Sequence, residues 1–105
     1  MDIHPRDLAI VRSILTRHVP EHHVYAFGSR VTGNARKASD LDLAIMTKKP
    51  LDVVRRADLR EAFSESDLPF KVDFLDWADI KEDFKKLILQ NRLRIQTGKE
   101  WLRRK

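Results

Sequence analysis

The sequence predicts one α/β (α+β) domain: a small mixed β-sheet with helices packed on one face. Three observations carry this. Four short β-prone runs alternate with segments whose apolar residues recur at helical spacing. Each strand-like run offers only one consistently apolar side, which suits a sheet covered on one face better than a doubly wound sheet. The length of 105 residues fits a single domain, 1–105, and no repeat, linker or low-complexity stretch divides it.

The elements follow in order. Leu8, Ala9, Val11, Ile14 and Leu15 mark a first helix, with Pro5 suited to an early helical position and Pro20 to its stop. Val24-Tyr25-Ala26-Phe27 is a strand that enters a turn at Gly28. Arg30 to Ser39 is polar and basic apart from Val31, and reads as a loop or a short helix and turn. Asp40 to Met46 alternates acidic or small residues with Leu41, Leu43 and Ile45, the mark of a strand with one apolar face. Pro50 opens a helical segment carried by Leu51, Val54, Leu59, Ala62 and Phe63, and Pro69 closes the connection after it. Lys71 to Leu75 is a third strand, Asp79 to Gln90 a helix, and Arg92 to Gln96 a short last strand with Gly98 ending the order.

Composition narrows the function classes. Hydrophobic residues make up 42% and charged residues 35%, an ordinary globular balance rather than a disordered one. No apolar run approaches the ~20 residues that span a bilayer, and the first residues lack the features of a secretory signal. Without cysteines the chain has neither disulfides nor thiolate metal sites, which does not by itself locate it; with no signal segment, the cytoplasm is the expected compartment. Lys and Arg number 21 against 16 acids, giving a net charge of +5 and favouring an anionic partner. Part of the excess lies in Arg92, Arg94, Lys99, Arg103, Arg104 and Lys105; residues 97–105 read as a flexible, solvated basic tail rather than a nucleic-acid arm. Direct nucleic-acid binding would rest on net charge alone.

The chemistry-bearing segment is Gly28-Ser29 followed, after ten residues, by Asp40-Leu41-Asp42. Residues two apart on a strand point the same way with Cα atoms roughly 6–7 Å apart, so Asp40 and Asp42 project together. Two adjacent like charges call for a neutralising cation. Oxygen-only ligands suit a hard ion, Mg²⁺ or Mn²⁺. Two such ions ~3.5–4 Å apart stabilise both the attacking and the leaving oxygen of a phosphoryl displacement. A third carboxylate is expected from another strand. If Val72 and Phe74 face the helices, Asp73 lies on the open face beside the first pair, whereas Asp76 shares the parity of Val72 and Phe74 or lies past the strand end. Asp73 is therefore preferred over Asp76. At the Gly28-Ser29 turn, backbone amides and the Ser29 hydroxyl suit a phosphate, and glycine permits its close approach. Arg30, Arg36 and Lys37 could offset triphosphate charge, although each alone equally suits a solvated loop. A lone Asp-x-Asp or Gly-Ser would mean little, since polar strand faces and ordinary turns contain them often. Their combination at this spacing, with a third Asp on a separate strand, is specific.

At these residues the chain resembles the DNA polymerase beta-type nucleotidyltransferase superfamily. The run Ala26-Phe27-Gly28-Ser29-Arg30-Val31, with Gly33, and the run Ser39 to Ile45 are similar to its minimal branch. Glu61 to Pro69 and Val72 to Trp77 extend the likeness, which covers about Leu8 to Gln96. The resemblance implies a nucleotidyltransferase fold and a Mg²⁺-dependent, two-metal transfer of AMP from ATP or another nucleoside triphosphate. It implies Asp40, Asp42 and Asp73 as metal ligands and catalytic residues, with Asp73 helping to activate the acceptor. Gly28, Ser29 and Arg30 would bind the nucleotide. Minimal members resemble half of a two-protein system with a HEPN-type helical partner. In several pairs the small enzyme looks like an antitoxin that adenylylates the helical toxin; in others the partner looks like a subunit that binds a small-molecule acceptor. A third reading is a non-catalytic antitoxin acting by occlusion, against which the complete Asp40, Asp42 and Asp73 set argues.

Other residues suggest less. His4, His18, His22 and His23 lack ligand-like spacing and read as surface or boundary positions. Trp77 suits packing at a strand end, whereas Trp101 suits either a solvated tail or an interface.

Overall fold

His4 and Pro5 fix the start of the first helix, α1 (Pro5–His18). The His4 Nδ1 accepts the Arg6 amide at 3.1 Å, and Pro5 lacks an N–H that the first turn would leave unpaired. The structure, a computed structural model, describes residues 2–33 and 39–99. After α1 come β1 (Val24–Phe27), α2 (Ser29–Thr32), β2 (Leu41–Ile45), α3 (Val53–Ser64), β3 (Val72–Asp76), a 3₁₀ turn (Trp77–Asp79), α4 (Glu82–Gln90) and β4 (Leu93–Gln96). Every expected strand is present. The third helix starts later than Pro50 because Asp52 caps it, its carboxylate accepting the Arg55 amide at 2.8 Å. The helix expected from Asp79 begins at Glu82 because Trp77–Asp79 wind as 3₁₀ instead.

The strands form one mixed sheet in the order β3-β2-β1-β4, with β2–β3 parallel and the two pairings of β1 antiparallel. Register follows the alternation legible in the sequence. Val24 and Ala26, Leu41, Leu43 and Ile45, and Phe74 all point to one face, where Val11, Leu15 and Val19 meet them from α1 and its end. Leu59 and Phe63 of α3 complete this core. Burying each large aliphatic or aromatic side chain contributes ~1.5–3 kcal/mol, so this face holds the domain together. Arg55 ties α3 to α1, donating to the His18 carbonyl at 2.9 Å and to Glu21 at 2.6 Å.

The opposite face carries Tyr25, Phe27, Asp42 and Asp73. It is not bare throughout: Phe84 of α4 meets Phe27 edge-on, with ring centroids 6.1 Å apart, and Arg92 covers the Tyr25 ring at 4.5 Å. Together they shield the aromatic side of this face beside the carboxylates. At residues 98 and 99 the Gly98 amide donates to His23 Nδ1 at 2.8 Å and the Lys99 amide to the Pro20 carbonyl at 2.9 Å. Gly98 is buried against the Glu21 and His22 backbone, where a Cβ would collide. Trp101 and the basic residues after it lie outside the described residues. No helix is long and apolar enough to cross a membrane, among the described residues.

Candidate active site

The site forms where β1 ends and β2 and β3 begin. Asp42 stands opposite Asp73 in the parallel β2–β3 pairing and opposite Phe27 in the antiparallel β1–β2 pairing. Parity puts all three side chains on the face away from α1 and α3. Asp40 enters from the residue before β2, held by the neighbouring Leu41 amide on the Lys71 carbonyl at 2.9 Å. Asp40 and Asp73 are exposed and Asp42 is half-buried. Burial raises the Asp42 carboxyl above its ordinary value, and the charges of Asp73 and then Asp40 raise it further. Asp42 thus lies within electrostatic reach of both other carboxylates.

Gly28 closes this group from the β1 side. Its φ of +82° lies in the region that side chains rarely adopt, and a Cβ there would sit 2.5 Å from Asp42 Oδ2. The turn is followed at once by α2, whose Val31 and Thr32 amides both donate to the Gly28 carbonyl at 3.1 Å. Ser29, next to Gly28 in the chain, opens that helix. The turn and the Asp pair therefore share one wall.

Arg30 is placed differently from the expected phosphate contact. It is buried, with Nε and Nη2 donating to the Ser39 carbonyl at 3.0 and 2.8 Å and Nη1 to the Asp2 carbonyl at 2.7 Å. Its guanidinium also lies 4.2 Å from the Phe70 ring centroid. The side chain braces the residue just before Asp40, a role invisible in a basic loop sequence. Arg36 and Lys37 lie outside the described residues.

Asp76 separates from Asp73 as parity anticipated. It is buried on the core side, where it ion-pairs with Arg56, and Arg56 also reaches Asp79 at 3.6 Å. Sequence reading missed Arg56; its place on α3, the helix that packs against the core face, was the available signal. Two of the four histidines serve structure: His4 caps α1, and His23 accepts from Gly98, its imidazole held below the usual range by burial and then by Arg94.

The donor set fits a hard divalent cation. Among the described residues no three acidic or imidazole side chains close into a ready-made cage. Mg²⁺ needs little more than one or two carboxylates, because it keeps several waters and takes its remaining ligands from substrate phosphates. Asp42 and Asp73, side by side with Asp40 at their entrance, meet that requirement. A larger groove of about 790 Å³ lies on the far side, between α1 and α3, lined by Ile10, Ile14, Arg17 and Glu61 among others. It shares no residue with the carboxylate group or the glycine turn.

Comparison with known proteins agrees with this fold. The family described as polymerase beta, nucleotidyltransferase matches residues 10–100. The "Probable protein adenylyltransferase MntA" of Haemophilus influenzae is 58% identical over 88 residues, 84% of this chain and 77% of the relative. Among solved structures, a toxin-antitoxin with AMP-PNP superposes with a TM-score of 0.71 at 22% identity, over 89% of this chain and 76% of that one. The complex of tri-AMPylated Shewanella oneidensis HEPN toxin with MNT antitoxin gives 0.66 at 18% identity, over 90% and 73%. Such distant structures establish the fold. With the family match spanning most of the sequence and a relative of that identity, the chain belongs to the polymerase beta-type nucleotidyltransferases.

Proposed function

We propose that this chain transfers AMP from ATP to a side-chain hydroxyl of a HEPN-type helical partner, using two Mg²⁺ ions held by Asp40, Asp42 and Asp73. The observation that carries the reading is the Asp42–Asp73 pairing across β2 and β3, with Gly28 against the Asp42 carboxylate. The name of the Haemophilus relative supports protein adenylylation, and the structures of a nucleotide-bound toxin-antitoxin and of a tri-AMPylated HEPN toxin support the donor and the partner. ATP and Mg²⁺ are cytoplasmic reagents, so that is where the chain is expected to act.

The work divides among the chain's own residues. Gly28 lets a phosphate come close to the backbone, and Ser29 supplies a hydroxyl to it. When bound, the metal ions would neutralise the carboxylates and the charge that develops on the phosphoryl oxygens. Asp73, the most outlying of the facing pair, takes the proton of the acceptor hydroxyl as its oxygen bonds to the α-phosphorus. The bond from that phosphorus to the bridging oxygen breaks, and pyrophosphate leaves. Positioning supplies much of the acceleration in phosphoryl transfer, and a helical partner would orient the acceptor. Arg30 contributes at one remove, by bracing Ser39 and thereby Asp40.

The test is the intact mass of a HEPN-type helical partner protein after incubation with the chain, ATP and Mg²⁺. Additions of ~329 Da, as expected for a nucleotide on a hydroxyl, that vanish with chelator or with Asp42→Asn would support the reading. An unchanged partner mass would overturn it.

A further inference from the structure

The groove of about 790 Å³ between α1 and α3 has no part in the carboxylate site. Each helix presents one stripe to it. Arg6, Ala9, Ile10, Ser13, Ile14 and Arg17 recur at three- and four-residue steps along one face of α1. Asp58, Glu61, Ala62 and Glu65 do the same along α3 and its C-cap. Ile10, Ile14 and Ala62 are half-buried and form the floor, while the exposed Ala9 and Ser13 are small and leave that floor accessible.

The two rims carry opposite charge. Arg6 and Arg17 stand on the α1 side and Asp58, Glu61 and Glu65 on the α3 side, all of them exposed. Arg55, in the first turn of α3, donates to the carbonyl of His18 at the end of α1. The helices therefore run in opposite directions, with Asp58 toward Arg17 and Glu65 toward Arg6. Yet the rims do not meet: among the described residues, none of these five side chains takes part in an ion pair. An apolar floor between a cationic and an anionic wall matches an amphipathic helix with acids along one flank and bases along the other. The stripe from Arg6 to Arg17 is roughly 16 Å long, about three helical turns. A second copy of this chain is a poor match. Its α1 would bring Arg6, Arg12 and Arg17 against the same arginines, and the one acid on that helix, Asp7, is buried.

We propose that the α1–α3 groove docks such a helix of the HEPN-type partner, separate from the segment that offers the acceptor hydroxyl. The identity of the partner as a helical protein rests on the reading above. The groove lies on the helix-covered side of the sheet and Asp42 and Asp73 on the other, so docking leaves the carboxylates open to the acceptor.

The experiment measures binding of a HEPN-type helical partner protein by calorimetry without nucleotide, and follows that protein's intact mass with ATP and Mg²⁺ in parallel. The variants are Arg6→Glu with Arg17→Glu, Glu61→Lys with Glu65→Lys, and Ser13→Trp, which fills the groove without altering charge. All five positions are exposed, and melting temperatures check the fold; if Ser13→Trp fails to fold, the two rim variants still decide. Each variant is expected to bind the partner at least tenfold more weakly and Mg²⁺–ATP within about twofold of wild type, with Ser13→Ala like wild type. Transfer should slow at low partner concentration and recover at saturation, a change in KM rather than kcat. The two rim variants move net charge in opposite directions, so opposite effects on partner binding would reduce the groove to net charge and overturn the proposal. Wild-type affinity in all three would overturn it too, as would a dimer of the chain alone that Ser13→Trp dissociates, since the groove would then belong to a second copy. A partner that binds through the groove but gains no mass would overturn the transfer reading and leave the docking site standing.

Discussion

Gly28 and Asp42 touch across the β1–β2 hairpin so closely that residue 28 has no room for a Cβ beside the Asp42 carboxylate. The turn proposed to take a phosphate and the carboxylate proposed to take a metal ion are thereby set at a fixed separation. Gly28→Ala should strain the backbone at φ +82° and displace the carboxylate, costing about 1–3 kcal/mol of stability. The variant should also lose more metal–ATP affinity than stability alone explains. Calorimetry with Mg²⁺–ATP on the folded variant checks this, and unchanged affinity would make the glycine a purely conformational requirement.

Asp42 is the most crowded of the three carboxylates, raised by burial and then by Asp73 and Asp40. Its charged form therefore costs the fold stability at neutral pH when no cation is bound. Asn at this position should raise the melting temperature in chelator while abolishing transfer. Added Mg²⁺ should narrow the gap by stabilising wild type alone. A lower melting temperature for Asp42→Asn in chelator would contradict the repulsion argument.

The open-face carboxylates were legible because strand periodicity is strict: once Leu41, Leu43 and Ile45 take the core, Asp42 must face away, and Val72 and Phe74 do the same for Asp73. The Gly28 turn was legible for a similar reason, since it ends a strand. Arg30 was not, because whether a loop arginine turns outward or inward depends on acceptors distant in sequence, the Asp2 and Ser39 carbonyls. The contact of α4 with the second face was also hidden. Phe84 recurs at helical spacing with Ile80 and Leu87, which announces an amphipathic helix without saying which side of the sheet it meets.

Asp73 and Asp76 should part company on mutation. Asp73→Ala removes an exposed carboxylate and should abolish transfer with little change in stability. Asp76→Ala strips Arg56 of its buried partner. Loss of a fully buried pair member costs ~3–5 kcal/mol, but Arg56 is 35% exposed, so water moderates the loss to about 1–3 kcal/mol. Transfer per folded molecule should survive. Denaturant melts paired with the mass assay separate the two, and an inactive but stable Asp76→Ala would move the third carboxylate to that position.

A pH dependence follows from Glu21. Its hydrogen bond from Arg55 holds the carboxyl below its ordinary value, against the opposing effect of burial. A depressed folded-state value means that the contribution is present above the unfolded value and disappears as pH falls through the folded one. The Glu21–Arg55 link joins the end of α1 to α3, so acid should loosen that junction first. Glu21→Gln should flatten the acid limb of the stability curve while leaving stability near neutral pH only slightly lower, because both side chains are more than a third exposed. An acid limb identical to wild type would remove Glu21 from the account.

Arg30 offers the sharpest separation between bracing and direct contact. Its three donors reach the Ser39 and Asp2 carbonyls, and its plane lies on Phe70. Lysine has the charge but not the fork, so Arg30→Lys cannot hold both carbonyls at once. If bracing is the role, Arg30→Lys and Arg30→Ala should both lose stability, each forfeited hydrogen bond contributing ~0.5–1.5 kcal/mol. Metal affinity should fall in step, because Asp40 follows Ser39 directly and would no longer be held at the entrance to the carboxylate pair. If Arg30 instead swings out to a phosphate, Arg30→Lys should retain much of the ATP affinity and Arg30→Ala should lose it with little change in stability. Titrations with Mn²⁺ alone, read beside melting curves, decide the matter, since a phosphate contact has no bearing on metal binding in the absence of nucleotide.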